Sequence, residues 1–240
     1  MMRALLVDDE ALARDDLKAL LAETGFFQVV GCCADAVAAI QAVRRERPDV
    51  LFLDVNMPAI SGFELLAMLD PEELPRVVFV TAHDEFALKA FDESAVDYVL
   101  KPIEPDRLAR AVERLQRAVS RGPGAGQAQA LPVPEITRIP CLAGRAIKLV
   151  AVSEVDLVKS GEAGVFVVTA KGEYFTELTL SVLESRARLL RCHKQYLVNV
   201  DRIDEINMGD NSLAVITTKA RHTVPVSRRH LSHLREALGL

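Results

Sequence analysis

Val50-Leu51-Phe52-Leu53-Asp54-Val55-Asn56-Met57-Pro58 sets four apolar residues directly against a carboxylate, an amide and a proline. An apolar run without polar alternation reads as a strand covered on both faces, as in a parallel sheet. Working outward, similar short runs occur at 4–7, 27–32, 77–80 and 96–100. Between and after them, 11–23, 36–47, 62–69, 85–91 and 107–119 carry helical spacing, with Pro48 and Pro71 as stops. In the first of these helices Leu12, Leu17, Leu20 and Leu21 are expected to share one broad apolar face. Five strand–helix repeats predict an α/β fold, a doubly wound five-stranded parallel sheet over residues 1–120.

In such sheets ligands bind beyond the carboxyl ends of the strands. The first strand ends in Asp8-Asp9, the third in Asp54, the fourth in Thr81 and the fifth in Lys101-Pro102, so these groups are expected to converge on one edge. Three carboxylates brought together repel and call for a divalent cation. An all-oxygen donor set favours Mg²⁺, which keeps waters and accepts a phosphate oxygen. Asp54 is then a nucleophile toward phosphorus, Lys101 a mobile positive charge, and Thr81 a hydroxyl that donates to a new phosphoryl oxygen.

Val7-Asp8-Asp9-Glu10, Leu53-Asp54-Val55-Asn56-Met57-Pro58, Ser61-Gly62, Val80-Thr81-Ala82 and Asp97-Tyr98-Val99-Leu100-Lys101-Pro102 together resemble the receiver-domain signature of two-component response regulators, over about residues 3–120. The resemblance implies that Asp54 accepts a phosphoryl group from a sensor histidine kinase. It implies that Asp8, Asp9, Asp54 and the backbone carbonyl of Asn56 hold Mg²⁺. It also implies that Thr81 and Tyr98 relay the switch, and that the Lys101–Pro102 bond is cis, an isomer nearly confined to X-Pro.

Residues 121–135 hold the uncharged, glycine-rich stretch Gly122-Pro123-Gly124-Ala125-Gly126-Gln127-Ala128-Gln129-Ala130 and read as a flexible linker. Beyond it, over 136–240, short β-like runs at 136–141, 146–150, 155–159, 165–170, 173–176, 196–200, 203–208, 213–217 and 222–226 surround a short helix at 179–186. A helix at 227–238 closes the chain, with Ser227 as its expected cap. This half is mainly β and lacks a helix-turn-helix pattern.

Charge divides with the pattern. Residues 1–122 carry 14 basic and 22 acidic side chains, and residues 123–240 carry 15 and 12. The first half suits a cation and the second a polyanion. Cys32, Cys33, Cys141 and Cys192 form no CxxC pair and read as reduced, buried thiols. Cys192 has a second reading, a redox-sensitive thiol beside Arg191 and His193. No apolar run approaches the ~20 residues of a membrane helix. The protein is expected in the cytoplasm.

In the second half Leu189-Leu190-Arg191-Cys192-His193-Lys194-Gln195-Tyr196-Leu197-Val198-Asn199 clusters cations before an apolar strand, whose Tyr196, Leu197 and Val198 are assigned to core. Val224-Pro225-Val226-Ser227-Arg228-Arg229-His230 sets two arginines at a helix start, where the helix dipole disfavours them. Both segments resemble the LytTR type of DNA-binding domain, which reads successive major grooves through loops. The resemblance implies that Lys194 and the Ser227–Arg228 region reach base edges and that Arg191, His193 and Arg229 touch phosphate. The loop 160–163 is a further contact candidate, with Glu162 an awkward charge there.

The whole-chain order, with Phe175-Thr176-Glu177-Leu178-Thr179-Leu180 and Leu183-Glu184-Ser185-Arg186 before the basic core, is similar to the YehT (BtsR) group of regulators, which implies a LytS-type sensor kinase, promoter double-stranded DNA as target, and a homodimer when phosphorylated or on DNA. Two other readings stand beside it. An aspartyl-phosphate phosphatase would use Asp54 as nucleophile, but no substrate pocket or general acid is apparent, so the chain is expected not to be an enzyme. An output domain that binds protein or RNA is disfavoured by Arg191, His193, Lys194, Arg228 and Arg229. The run Arg107, Arg110, Arg114 and Arg117 is expected to be a solvated helix face, or else to pair across a dimer.

Overall fold

The computed structural model describes residues 1–83, 95–120, 135–144, 146–208 and 214–239. The chain forms two compact units, 1–134 and 135–240. The expected helix at 85–91 and nearly all of the expected linker at 121–135 lie outside the described residues.

In the first unit β1 (Met2–Val7), β2 (Phe27–Cys33), β3 (Val50–Leu53), β4 (Arg76–Thr81) and β5 (Asp97–Leu100) form one sheet in the order β2-β1-β3-β4-β5. Every pairing is parallel. The described helices are α1 (Ala11–Glu23), α2 (Ala36–Glu46), α3 (Gly62–Met68) and α4 (Pro105–Ser120). Strand side chains alternate between the two faces. Leu6, Phe52, Val80 and Val99 pack with Leu17 and Leu21 of α1 and Leu108 and Leu115 of α4. On the other face Phe79 meets Phe63 of α3 with ring centroids 4.8 Å apart.

Leu12 departs from the expected stripe and is 80% exposed. It lies five residues before Leu17, which at about 100° per residue turns it well away from the Leu17–Leu21 line. The arginine run of α4 also departs from expectation, because Arg107 and Arg114 are paired with the fully buried Asp97.

In the second unit a seven-stranded sheet runs β11-β12-β8-β9-β10-β6-β7 and a three-stranded sheet runs β13-β14-β15. The strands are β6 (Arg138–Ala143), β7 (Ala146–Ala151), β8 (Val155–Gly161), β9 (Gly164–Thr169), β10 (Gly172–Thr176), β11 (Leu190–His193), β12 (Tyr196–Val198), β13 (Ile203–Met208), β14 (Ala214–Thr218) and β15 (Thr223–Val226). Helix α5 (Leu180–Arg186) precedes β11, and α6 (Arg228–Leu238) follows β15. Leu157, Val168, Cys192, Val198, Ile216, Val224, Val226 and Leu234 form a core that draws on both sheets and α6. Sequence reading missed β11, because the cations of Leu190-Arg191-Cys192-His193 masked its strand alternation.

Candidate functional site

The sheet order reverses direction at β1 and β3. A crevice opens at such a switch point because the connections leave in opposite directions. Asp8 and Asp9 follow β1 and Asp54 follows β3, so all three stand at that crevice. One carboxylate oxygen from each lies within 4.8 Å of the others. Asp8 and Asp54 are buried and Asp9 is exposed. This all-oxygen set suits a hard divalent cation, and its exposed member leaves a way in for one.

Each buried acid is held by specific donors. The Glu10 N–H donates to Asp8 Oδ1 at 2.9 Å, and the Asn56 N–H donates to Asp54 Oδ1 at 3.3 Å. The Lys101 ammonium bridges their remaining oxygens, at 2.7 Å from Asp8 Oδ2 and 3.0 Å from Asp54 Oδ2. Burial works against the Lys101 charge, but the hydrogen bonds to Asp8 and Asp54 outweigh it and hold the ammonium above its usual range. The Lys101–Pro102 peptide is cis.

Gly62, the first residue of α3, donates its N–H to the Val55 carbonyl at 2.8 Å. A Cβ there would stand 2.3 Å from the Asp54 carbonyl oxygen, so the loop that carries Asp54 closes only over glycine. Ser61 and Glu64 cap the same helix reciprocally. Thr81 is fully buried, and its Oγ1 has no hydrogen-bond partner among the described residues. An unmet buried hydroxyl at a strand's carboxyl end is costly unless an incoming acceptor satisfies it.

Tyr98 is buried in β5, and its hydroxyl donates to the His83 carbonyl. The neighbouring Asp97 carboxylate accepts from the Tyr98 N–H at 2.8 Å, from both terminal nitrogens of Arg107 at 2.9 and 2.6 Å, and from Arg114 at 2.9 Å. The strand bearing Tyr98 and Lys101 is thereby tied to α4.

In the second unit the two basic segments come together. The Ser227 N–H donates to the Cys192 carbonyl at 2.9 Å, which places the start of α6 against β11. Lys194 sits in the tight turn between β11 and β12, exposed, as are Arg228 and Arg229. The Ser160 N–H donates to the Gln195 carbonyl at 2.9 Å, which brings the end of β8 beside that turn. His193 Nδ1 accepts from the Gln195 N–H at 3.2 Å, so its Nε2 carries the proton in the neutral ring.

One expectation, the Ser227 cap, is corrected here, and the surroundings of Arg191 and Cys192 become visible. Arg191 is not a free cation: its Nε lies 2.6 Å from Glu184 Oε2, and it reaches the Lys194 carbonyl at 3.4 Å. Ser227 occupies the cap position of α6 but its side chain caps no backbone N–H. Its hydroxyl meets His230 Nδ1 at 2.6 Å instead. Cys192 is fully buried, and burial pushes its thiol up to about 12, which works against the thiolate that redox sensing needs. Of the segment assigned to core, Leu197 and Val198 are fully buried and Tyr196 is half-buried. Asn199, which ends the same motif, is structural: its side chain donates to the Val152 carbonyl at 2.9 Å and accepts from the Asp201 N–H at 3.1 Å.

The family comparisons agree with both halves. Residues 4–113 match the response regulator receiver domain, and residues 145–239 match the LytTr DNA-binding domain. The chain belongs to the response regulators that join a receiver domain to a LytTR DNA-binding domain, in which phosphorylation of the first controls DNA binding by the second. It is 47% identical over 239 residues to an uncharacterized response regulatory protein of Vibrio cholerae, covering 100% of this chain and 99% of that one. It is 48% identical over 243 residues to the transcriptional regulatory protein BtsR of Escherichia coli K12, covering 100% of both. Among solved structures, the response regulatory domain of mrkE from Klebsiella pneumoniae is 30% identical with a TM-score of 0.45, covering 50% of this chain and 99% of that one.

Proposed function

We propose that Asp54 is the phosphoacceptor of a sensor histidine kinase, and that its modification strengthens promoter binding through Arg191, His193, Lys194, Ser227, Arg228 and Arg229. The observation that carries this reading is the pairing of Asp54 with Lys101 at 3.0 Å, beside Asp8 and Asp9 and on the same strand edge as the unmet hydroxyl of Thr81. A carboxylate oxygen of Asp54 attacks phosphorus, the bond to the kinase histidine breaks, and an acyl phosphate forms. Lys101 follows the charge onto the phosphoryl oxygens. Thr81 donates its hydroxyl to one of them, and the displacement passes to Tyr98 on the adjoining strand.

Asp8, Asp9, Asp54 and the Asn56 carbonyl are the groups that would hold Mg²⁺, which when bound neutralises phosphoryl charge. We divide the chain into a receiver at 1–120, a linker at 121–135 and a DNA-binding domain at 136–240. The kinase is assigned to the LytS type and the active species to a homodimer, by resemblance to the group that includes BtsR. No described helix is long and apolar enough to cross a membrane, and we place the protein in the cytoplasm.

The test is binding to promoter DNA with and without acetyl phosphate and Mg²⁺, for the parent and Asp54→Ala. The expected result is tighter binding on phosphodonor addition in the parent alone. Equal gains in both proteins would remove Asp54 from the mechanism.

A further inference from the structure

His230 lies three residues beyond Ser227, the residue at the cap position of α6. Its Nδ1 stands 2.6 Å from Ser227 Oγ, and this contact takes the hydroxyl away from helix capping. The ring is surrounded by charge from three elements. Arg229 precedes it on α6, Arg191 and His193 face it from β11, and Glu184 faces it from α5. Burial, together with Arg229, Arg191 and His193, keeps the ring below the usual histidine range, and Glu184 opposes them.

A hydrogen bond between a hydroxyl and an imidazole nitrogen has two senses. With Nδ1 unprotonated, Ser227 donates to the ring and turns only lone pairs outward. With Nδ1 protonated, in the neutral Nδ1–H tautomer or in the imidazolium, the ring donates and the Ser227 hydrogen is released. A phosphodiester oxygen accepts and never donates, so only the second sense suits it. We propose that His230 is a positioning residue for DNA recognition, which sets the donor sense of the Ser227 hydroxyl, so that DNA binding takes up a proton at this ring. The proposal rests on the assignment of this face to DNA.

The electrostatics give the direction. In the free protein the cations around His230 favour the neutral ring. An approaching phosphate brings the negative charge that reverses this balance, so bound DNA favours the imidazolium over the neutral Nδ1–H tautomer, and the donor sense comes with a proton taken up. By linkage, DNA affinity then rises as pH falls, by at most about tenfold per pH unit for one proton. The sign is opposite for any role in which His230 accepts from a DNA base.

The experiment uses the full chain and a double-stranded oligonucleotide that the parent selects from a random-sequence pool. Affinity is measured at fixed salt from about pH 8 to about pH 5, the span in which histidine changes charge. Parent, His230→Gln and Arg228→Ala are compared, and proton uptake is read by calorimetry in buffers of different ionisation heat. Glutamine keeps a neutral polar group at the position, so loss of a merely structural contact would not alter a pH slope. The expected result is that the parent gains affinity toward acid, and that the gap to His230→Gln widens steadily. The glutamine variant should also take up fewer protons on binding.

A variant that tracks the parent's slope and proton uptake overturns the role of His230. Two outcomes overturn the face assignment and the proposal with it: Arg228→Ala that binds as the parent does at every pH, or a parent that selects no oligonucleotide. Weakened Arg228→Ala with an unchanged His230→Gln slope overturns the His230 role alone.

Discussion

Around Asp54 the acids other than Asp9 are buried, and Asp8, Asp54 and the half-buried Lys101 each meet opposite charge or a backbone N–H at close range. Around Arg228 several cations stand in solvent, while Arg191 is mostly buried and committed to an internal partner. Lys101 closes two ion pairs at 2.7 and 3.0 Å in the first region. In the second, Glu184 holds Arg191 at 2.6 Å while Lys194 and Arg229 remain exposed. The difference follows from the ligands. A small phosphoryl group and a metal ion need a preset, partly dry pocket, where electrostatics are strong. A long polyanion needs an exposed array, where each contact is individually weak and salt-sensitive. Substitutions in the first region should therefore read out as stability, and those in the second as affinity.

The largest expected effect lies at the buried acids behind each region. Asp97 is fully buried and accepts from Tyr98, Arg107 and Arg114. Asp97→Ala strands these donors and should cost about 3 kcal/mol, the low end for breaking a buried pair, because Arg114 is half exposed. Asp156, equally buried in the second unit, has Arg202 at 3.0 Å. Its other oxygen lies 3.4 Å from His222 Nδ1 without making a hydrogen bond. Asp156→Ala should therefore cost less, about 2 kcal/mol. Urea midpoints of the two variants check the order, and equal losses would show that the extra donors on Asp97 add nothing.

How far sequence reached can be judged from the same residues. Asp8, Asp54 and Lys101 were legible because an apolar strand that ends in a charged group has only one edge on which to place it. The cis bond at Pro102 was likewise expected from the motif. The Asp97 hub was not legible. Arg107 and Arg114 are seven apart and share a helix face, but only the folded sheet shows that their partner is buried beneath that face. On the basic side the segments were found and their pairing was not. Glu184 and Arg191 are seven residues apart across a helix end, a separation for which no local rule pairs charges. The Ser227–His230 contact had a signal in its i,i+3 spacing, but a serine before a helix reads first as a cap.

A second, smaller effect tests whether the acidic pocket is completed by a cation. Mg²⁺ should stabilise the parent by about 2.7 kcal/mol at a hundredfold excess over its Kd. Asp9→Asn should lose most of that gain, and little else, because Asp9 is the exposed member. Thermal midpoints with Mg²⁺ and with a chelator decide it, and an unchanged gain in Asp9→Asn removes Asp9 from the site. The Lys101 pairing should not confound such scans near neutral pH. Its ammonium is held above its usual range, so its contribution is present below the unfolded value of about 10.4 and is lost only as pH rises through the higher folded value.

The smallest effect sharpens the contrast within the basic face itself. A cation that already has an internal partner releases fewer counterions when DNA arrives. Arg229 is exposed, and Arg229→Ala should lower the slope of log affinity against log salt by about 1. Arg191→Ala should lower it less, because the Arg191 guanidinium is matched by Glu184 at 2.6 Å. Its loss should instead loosen the Lys194 turn and weaken binding by a similar factor at every salt concentration. Glu184→Gln provides the internal control. With its carboxylate neutralised, Arg191 becomes available to phosphate, the salt slope should steepen, and affinity at low salt should rise about threefold, as for a weak exposed pair. If Glu184→Gln leaves the slope unchanged while Arg191→Ala reduces it by as much as Arg229→Ala does, then Arg191 exchanges Glu184 for phosphate freely. Arg191 would then be as available to DNA as Arg229, and its difference from Lys101 in the Asp54 pocket would be one of burial alone.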